Sequence, residues 1–125
     1  MGMNRNLKSL VEGVERKNMR GAELGSANFG KANLANAIFQ DAKMMNADFR
    51  GADLENARLD DTNLDGANFR ESNLGGAILA DANLSGANFS GANLDGADFR
   101  EAKNLRNAKW PKGWHPLSSG KQGLE

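Results

Sequence analysis

From Ala22 to Phe99 the chain repeats one five-residue phrase without an insertion or deletion, and no other feature limits its fold so strongly. The large apolar residue of each phrase is its centre: Leu24, Phe29, Leu34, Phe39, Met44, Phe49, Leu54, Leu59, Leu64, Phe69, Leu74, Leu79, Leu84, Phe89, Leu94 and Phe99. Ala stands two residues before every centre except at Thr62 and Ser72, and Met19 begins the series. A period of five suits neither regular element. Along an α-helix, five residues rotate the side chain by about 500°, leaving successive centres roughly 140° apart. Along a straight strand they flip it to the opposite face. For every centre to point inward, the chain must turn once per phrase in one sense, which makes it a solenoid.

The aromatic residues set the number of sides. Phe29, Phe49, Phe69 and Phe89 recur every twenty residues, and Leu34, Leu54, Leu74 and Leu94 form a uniform column between them. Four sides per coil follows, with identical side chains stacked at about the 4.8 Å spacing of neighbouring strands. The repeats then build about four coils, a rod roughly 20 Å tall.

Runs such as AELGSANFGKANL and ANLSGANFSGANLDGADF resemble the pentapeptide repeat proteins, over residues 19–101. The resemblance implies an all-β fold, a right-handed quadrilateral parallel β-helix, with each centre and its preceding small residue inside. A solenoid's long faces suit a structural or protein-interaction role. One subgroup of the family protects DNA gyrase by presenting an acidic rod shaped like duplex DNA. This chain departs from that subgroup: it is shorter, has basic ends and lacks an obvious long C-terminal dimerisation helix.

The organisation expected is an N-terminal cap and tail over 1–18, a solenoid over 19–101 and a C-terminal cap and tail over 102–125. Leu7, Leu10, Val11 and Val14 follow helical spacing and predict a short amphipathic helix, capped by Asn6 and weakened by Gly13. Laid across the first coil, it would cover unpaired strand edges. After Phe99 the phrase slips by one residue at Leu105, and Ala108-Lys109-Trp110 restores it. Trp110 is therefore expected as a lid on Phe89, with Pro111 ending the pairing for want of an N–H. Trp114 joins that cap. The run from Trp110 to Pro116 resembles the terminal segment of family members from photosynthetic bacteria, which usually carry Phe where Trp114 stands.

Eleven of the sixteen residues just before a centre are Asn or Asp, and these types bond their own backbone in turns. Most of them are therefore turn chemistry, and they are not read as ligands one by one. Thr62 and Ser72 each need an internal hydrogen-bond partner. Stacking by twenty also builds an acidic ladder of Asp41, Asp61, Asp81 and Glu101, the candidate partner-binding surface. Asp60 and Asp98 share its side, with Arg20, Arg58 and Arg100 as partial counter-charges, and Ile38 and Ile78 point outward there. Two carboxylates about 5 Å apart repel by nearly 1 kcal/mol even at the dielectric of water. The zero net charge hides this polarity: residues 19–101 carry thirteen acids against seven bases.

Other chemistry finds few residues to act through. One His, no Cys and no nucleophile–base–orienter set leave no catalytic, cofactor or metal site to nominate. A packed rod offers no substrate pocket. The expectation is a non-enzymatic module with an unknown protein partner, no direct nucleic-acid binding and no membrane span, monomeric or weakly dimeric end to end. The cytoplasm is the expected compartment, since the N-terminus lacks an apolar signal segment and cysteine is absent.

Overall fold

The computed structural model describes residues 17–116. The helix predicted from Leu7, Leu10, Val11 and Val14 lies outside these described residues. Parallel bridges join each phrase to the one four phrases later, from Asn18↔Ile38 and Glu23↔Lys43 through to Ile78↔Asp98. The coil therefore closes every twenty residues and has four sides. Side one carries Leu24, Met44, Leu64 and Leu84; side two Phe29, Phe49, Phe69 and Phe89; side three Leu34, Leu54, Leu74 and Leu94. Side four carries Met19, Phe39, Leu59, Leu79 and Phe99.

Each side is too short to be an extended strand. The residue before a centre makes the bridge, and two turn residues follow the centre. Inter-coil bonds flank each bridge: Phe29 N–H donates to the Asp48 carbonyl at 2.7 Å and Asp48 N–H to the Ala27 carbonyl at 2.9 Å. The turn closes on itself, as when Ala27 N–H donates to the Leu24 carbonyl at 3.1 Å. The second residue after every one of the sixteen centres has positive φ, while the first does not. That pairing identifies type II turns.

Glycine is at ease in the left-handed region, but Ser26, Lys31, Glu71 and Glu101 are held there at φ of 60°, 61°, 61° and 62°. A residue with a Cβ gives up about 1 to 2 kcal/mol in that conformation, offset partly by its less disordered unfolded chain. Ser26→Gly is therefore expected to stabilise the protein by roughly 0.5 kcal/mol, read from urea unfolding.

The core is filled by one centre from each side of each coil, meeting in the middle of the rod. The rings of side two stack with centroids 5.1 Å apart from Phe29 to Phe49, then 4.9 Å and 4.9 Å to Phe69 and Phe89. Phe39 on the opposite side meets Phe29 and Phe49 edge-on at 5.7 and 5.9 Å, so the centres of sides two and four touch across the rod. The leucine column Leu34, Leu54, Leu74 and Leu94 is buried beside them. The hydroxyls of Thr62 and Ser72, inside where Ala is the rule, donate to the carbonyls of Leu59 at 2.6 Å and Phe69 at 2.7 Å.

The bridging continues past residue 101 through Asn83↔Lys103 and Asn88↔Lys109. The second of these spans twenty-one residues, and the extra residue is absorbed by a left-handed Asn104 and a 3-10 turn at Leu105–Asn107. Leu105 packs against the core from this turn. Trp110 then lies flat on Phe89 at 4.8 Å with 2° between the planes, while its indole N–H donates to the Leu105 carbonyl at 3.2 Å. Trp114 sits above Trp110 and Phe99, at 5.2 and 5.7 Å.

Candidate functional site

Asp41, Asp61, Asp81 and Glu101 occupy the left-handed turn position of side four and are exposed, one per coil. The bridges along the same side put them in a column at the coil repeat. Asp41 is 3.5 Å from Arg20 and Asp81 is 3.9 Å from Lys103. Such exposed pairs screen the column without cancelling it. Among the described residues Asp61 and Glu101 have no ion-pair partner.

The neighbouring acids Asp60 and Asp98 are each engaged by an arginine of the same side. Asp60 is only 8% exposed. It accepts a hydrogen bond from Gln40 Nε2 at 2.7 Å, one coil away, and from Arg58 Nε and Nη2 at 3.2 and 3.1 Å. The buried carboxylate is thus satisfied three times over. Its signal in the sequence was Arg58 two places earlier together with Gln40 twenty places earlier. Asp98 is gripped by Arg100 at 2.7 Å, with acid and base exchanged about the centre. Ile38 and Ile78 are half-buried, with Arg58 bridged between them.

Turn chemistry accounts for the Asn and Asp residues that precede the centres. The Oδ1 of every one of them accepts a backbone N–H from two residues on, as in Asn28 to Gly30 at 2.9 Å, Asp53 to Glu55 at 3.1 Å and Asn88 to Ser90 at 2.9 Å. Several also bond up the column: Asn93 Nδ2 donates to Asn73 at 2.9 Å, and Asn104 Nδ2 to Asn83 at 2.8 Å. Among the described residues no cluster of His, Cys, Asp and Glu has the arrangement to hold a metal ion. No described helix is long and apolar enough to cross a membrane.

Side two, opposite the ladder, has the contrary sign. Lys31, Arg50, Arg70 and Lys109 stand there against Asp48 and Glu71. Arg50 donates to both oxygens of Asp48, Nε at 3.0 Å and Nη2 at 2.8 Å. That hydrogen bonding, opposed by partial burial, holds the Asp48 carboxyl below its ordinary range. A carboxyl whose folded pKa is depressed contributes stability above its unfolded pKa, about 3.9, and loses it as pH falls through the folded value. Arg50→Gln should therefore remove part of the stability lost below about pH 4, so its melting temperature should fall less steeply on acidification than the wild type's. Thermal melts from neutral pH down to about pH 2 read this difference.

A parallel β-solenoid with four five-residue sides per coil, an Ala-centre interior and polar turn columns defines the class of fold. The sequence matches the pentapeptide repeats family in eight copies, over residues 18–51, 47–86 and 67–109. The chain belongs to that family, whose coil is right-handed and quadrilateral. It is similar in structure to a pentapeptide repeat protein of the cyanobacterium Cyanothece 51142, with 32% identity, 87% of this chain and 79% of that one covered, and a TM-score of 0.70. A pentapeptide repeat protein of Nostoc Pcc 7120 shares 27% identity over 98% of this chain and all of its own, with a TM-score of 0.67. One from the thylakoid lumen of Arabidopsis thaliana shares 33% identity over 82% and 72%, with a TM-score of 0.59. No curated relative matches the chain.

Proposed function

We propose that this protein is a non-enzymatic protein-interaction module of the cytoplasm whose partner-facing surface is the column Asp41, Asp61, Asp81 and Glu101. One observation carries the reading: four like charges stacked one per coil, two of them with no ion-pair partner among the described residues. Repulsion in such a column is relieved when a cationic partner docks on it. Solenoid families generally use their long sides in this way. The packed core supports a binding role over catalysis, since the interior is filled by its own side chains.

A duplex-like acidic rod aimed at a topoisomerase draws less support. Side four also holds Arg20, Arg58 and Arg100, which engage Asp41, Asp60 and Asp98.

The test is a triple Asp41→Asn, Asp61→Asn, Asp81→Asn variant. Asn tolerates φ near +60°, so charge is removed without straining the turns. Capture of partner from lysate of the source organism is expected to fall at least tenfold in the variant, and to weaken in the wild type as salt rises. Equal capture by both proteins would move the contact to another side.

A further inference from the structure

We propose that side two docks onto the acidic ladder of a second copy of this chain, forming rows of parallel rods. The proposal rests on the reading of the ladder as a contact surface and names an occupant for it. The turn motif Asp-centre-Arg neutralises itself at Asp48–Arg50 and Asp98–Arg100, where each guanidinium is held by the carboxylate two residues earlier. At the equivalent place on the next coil the acid is replaced by Asn68, whose Oδ1 accepts only the Arg70 backbone N–H at 3.1 Å. Among the described residues the Arg70 guanidinium and the Lys31 ammonium have no counter-ion.

Lys31, Arg50 and Arg70 belong to three successive coils and line a surface depression of about 570 Å³ together with the acids Asp48 and Glu71. The ladder supplies the complement. Asp41, Asp61 and Asp81 sit one per coil at the second turn position, and Arg50 and Arg70 sit one per coil at the first, with Lys31 at the second in the column of Gly51 and Glu71. Two rods laid side by side with Asp61 against Arg70 also bring Asp41 to the coil of Arg50. Asp61, unpaired in its own chain, is the counterpart of Arg70. Because sides two and four are opposite sides of one coil, the contact is heterologous and does not close, so it extends into a row.

The experiment is sedimentation of the full chain over a range of concentrations in about 0.02 M and about 0.5 M salt, where the screening length falls from ~20 Å to ~4 Å. The wild type should grow beyond a monomer with concentration at low salt and return to a monomer at high salt. Arg70→Glu and Asp61→Lys should each weaken association by about tenfold or more, because each sets like charges together. Both replacements suit their backbone: Glu55 occupies the turn position of Arg70 on side three, and Lys31 occupies that of Asp61 at φ 61°. An equimolar mixture of the two variants should associate again as an alternating row, because the reversed side two of the first meets the reversed side four of the second, and the unchanged side two of the second meets the unchanged side four of the first.

A wild type that stays monomeric at low salt overturns the proposal, as does association that survives both single changes. Association lost in the single variants but not restored by mixing them also overturns it. The ladder's wider role is judged separately. If the Asp-to-Asn triple still loses capture of a different protein while the wild type is monomeric, the ladder reading stands and self-association falls.

Discussion

Phe69→Ala is expected to destabilise the protein by about 3 to 5 kcal/mol, the range for a large aromatic removed from a core that does not collapse. The ring is fully buried and lies between Phe49 and Phe89, each 4.9 Å away and within 3° of parallel. The hole would stay open because backbone bonds hold the coils on either side. Phe49 N–H donates to the Asn68 carbonyl and Phe69 N–H to the Asn88 carbonyl, both at 2.7 Å. A solenoid's stability is close to a sum over neighbouring repeats, so a weakened middle rung breaks two interfaces at once. Urea unfolding should show both a lower midpoint and a reduced slope as the two halves begin to unfold separately. Phe69→Leu, which keeps most of the volume, should cost less than about 1.5 kcal/mol. A Phe69→Ala loss near that of Phe69→Leu would contradict the continuous ring stack.

Trp110→Ala is expected to cost roughly 3 kcal/mol, the low end for such a truncation because the indole is half-buried. Trp110 closes the aromatic column by stacking on Phe89 and meeting Phe99 edge-on at 5.3 Å. Removing it uncovers the buried rings of Phe89 and Phe99, apolar surface that can associate. Thermal unfolding should therefore occur at lower temperature and end in aggregation. Trp114→Ala should cost clearly less, because Trp114 rests on Trp110 at a 35° tilt instead of covering Phe89 itself. Equal losses for the two tryptophans would mean that the cap acts as one block.

The sides of the coil were legible because the period is short and unbroken. Sixteen centres and their alanines repeat at five, the phenylalanines repeat at twenty, and both numbers are geometric facts about where side chains point. The Trp110 lid was legible for the same reason, since one skipped residue returns it to the Phe89 column. Thr62 and Ser72 announced a need for internal acceptors, and the carbonyls three residues back meet it.

The surface was legible in columns but not in charge. Side four reads in sequence as six carboxylates against three arginines, yet Asp60 is buried beneath Gln40 and Arg58, and Asp98 is held by Arg100. Hydrogen-bond geometry across coils decides which acids remain open; the register brings Gln40 and Arg58 near Asp60, but the donors' reach is fixed only in the folded coil. The sequence marks Arg70 apart from Arg50 and Arg100, since Asn68 stands where they have Asp48 and Asp98. The contacts add that the two counterparts are gripped by their own carboxylates, while among the described residues no other acid reaches Arg70.

Sequence alone determined that the chain winds, how many sides each coil has and which residues face inward, because an uninterrupted repeat leaves one way to bury every centre. The tertiary structure decided that every phrase turns through a left-handed residue, how the extra residue after Lys103 is absorbed, and which charges stand free on opposite sides of the rod. Those outcomes depend on distances between atoms twenty residues apart, which exist only once the coils are stacked.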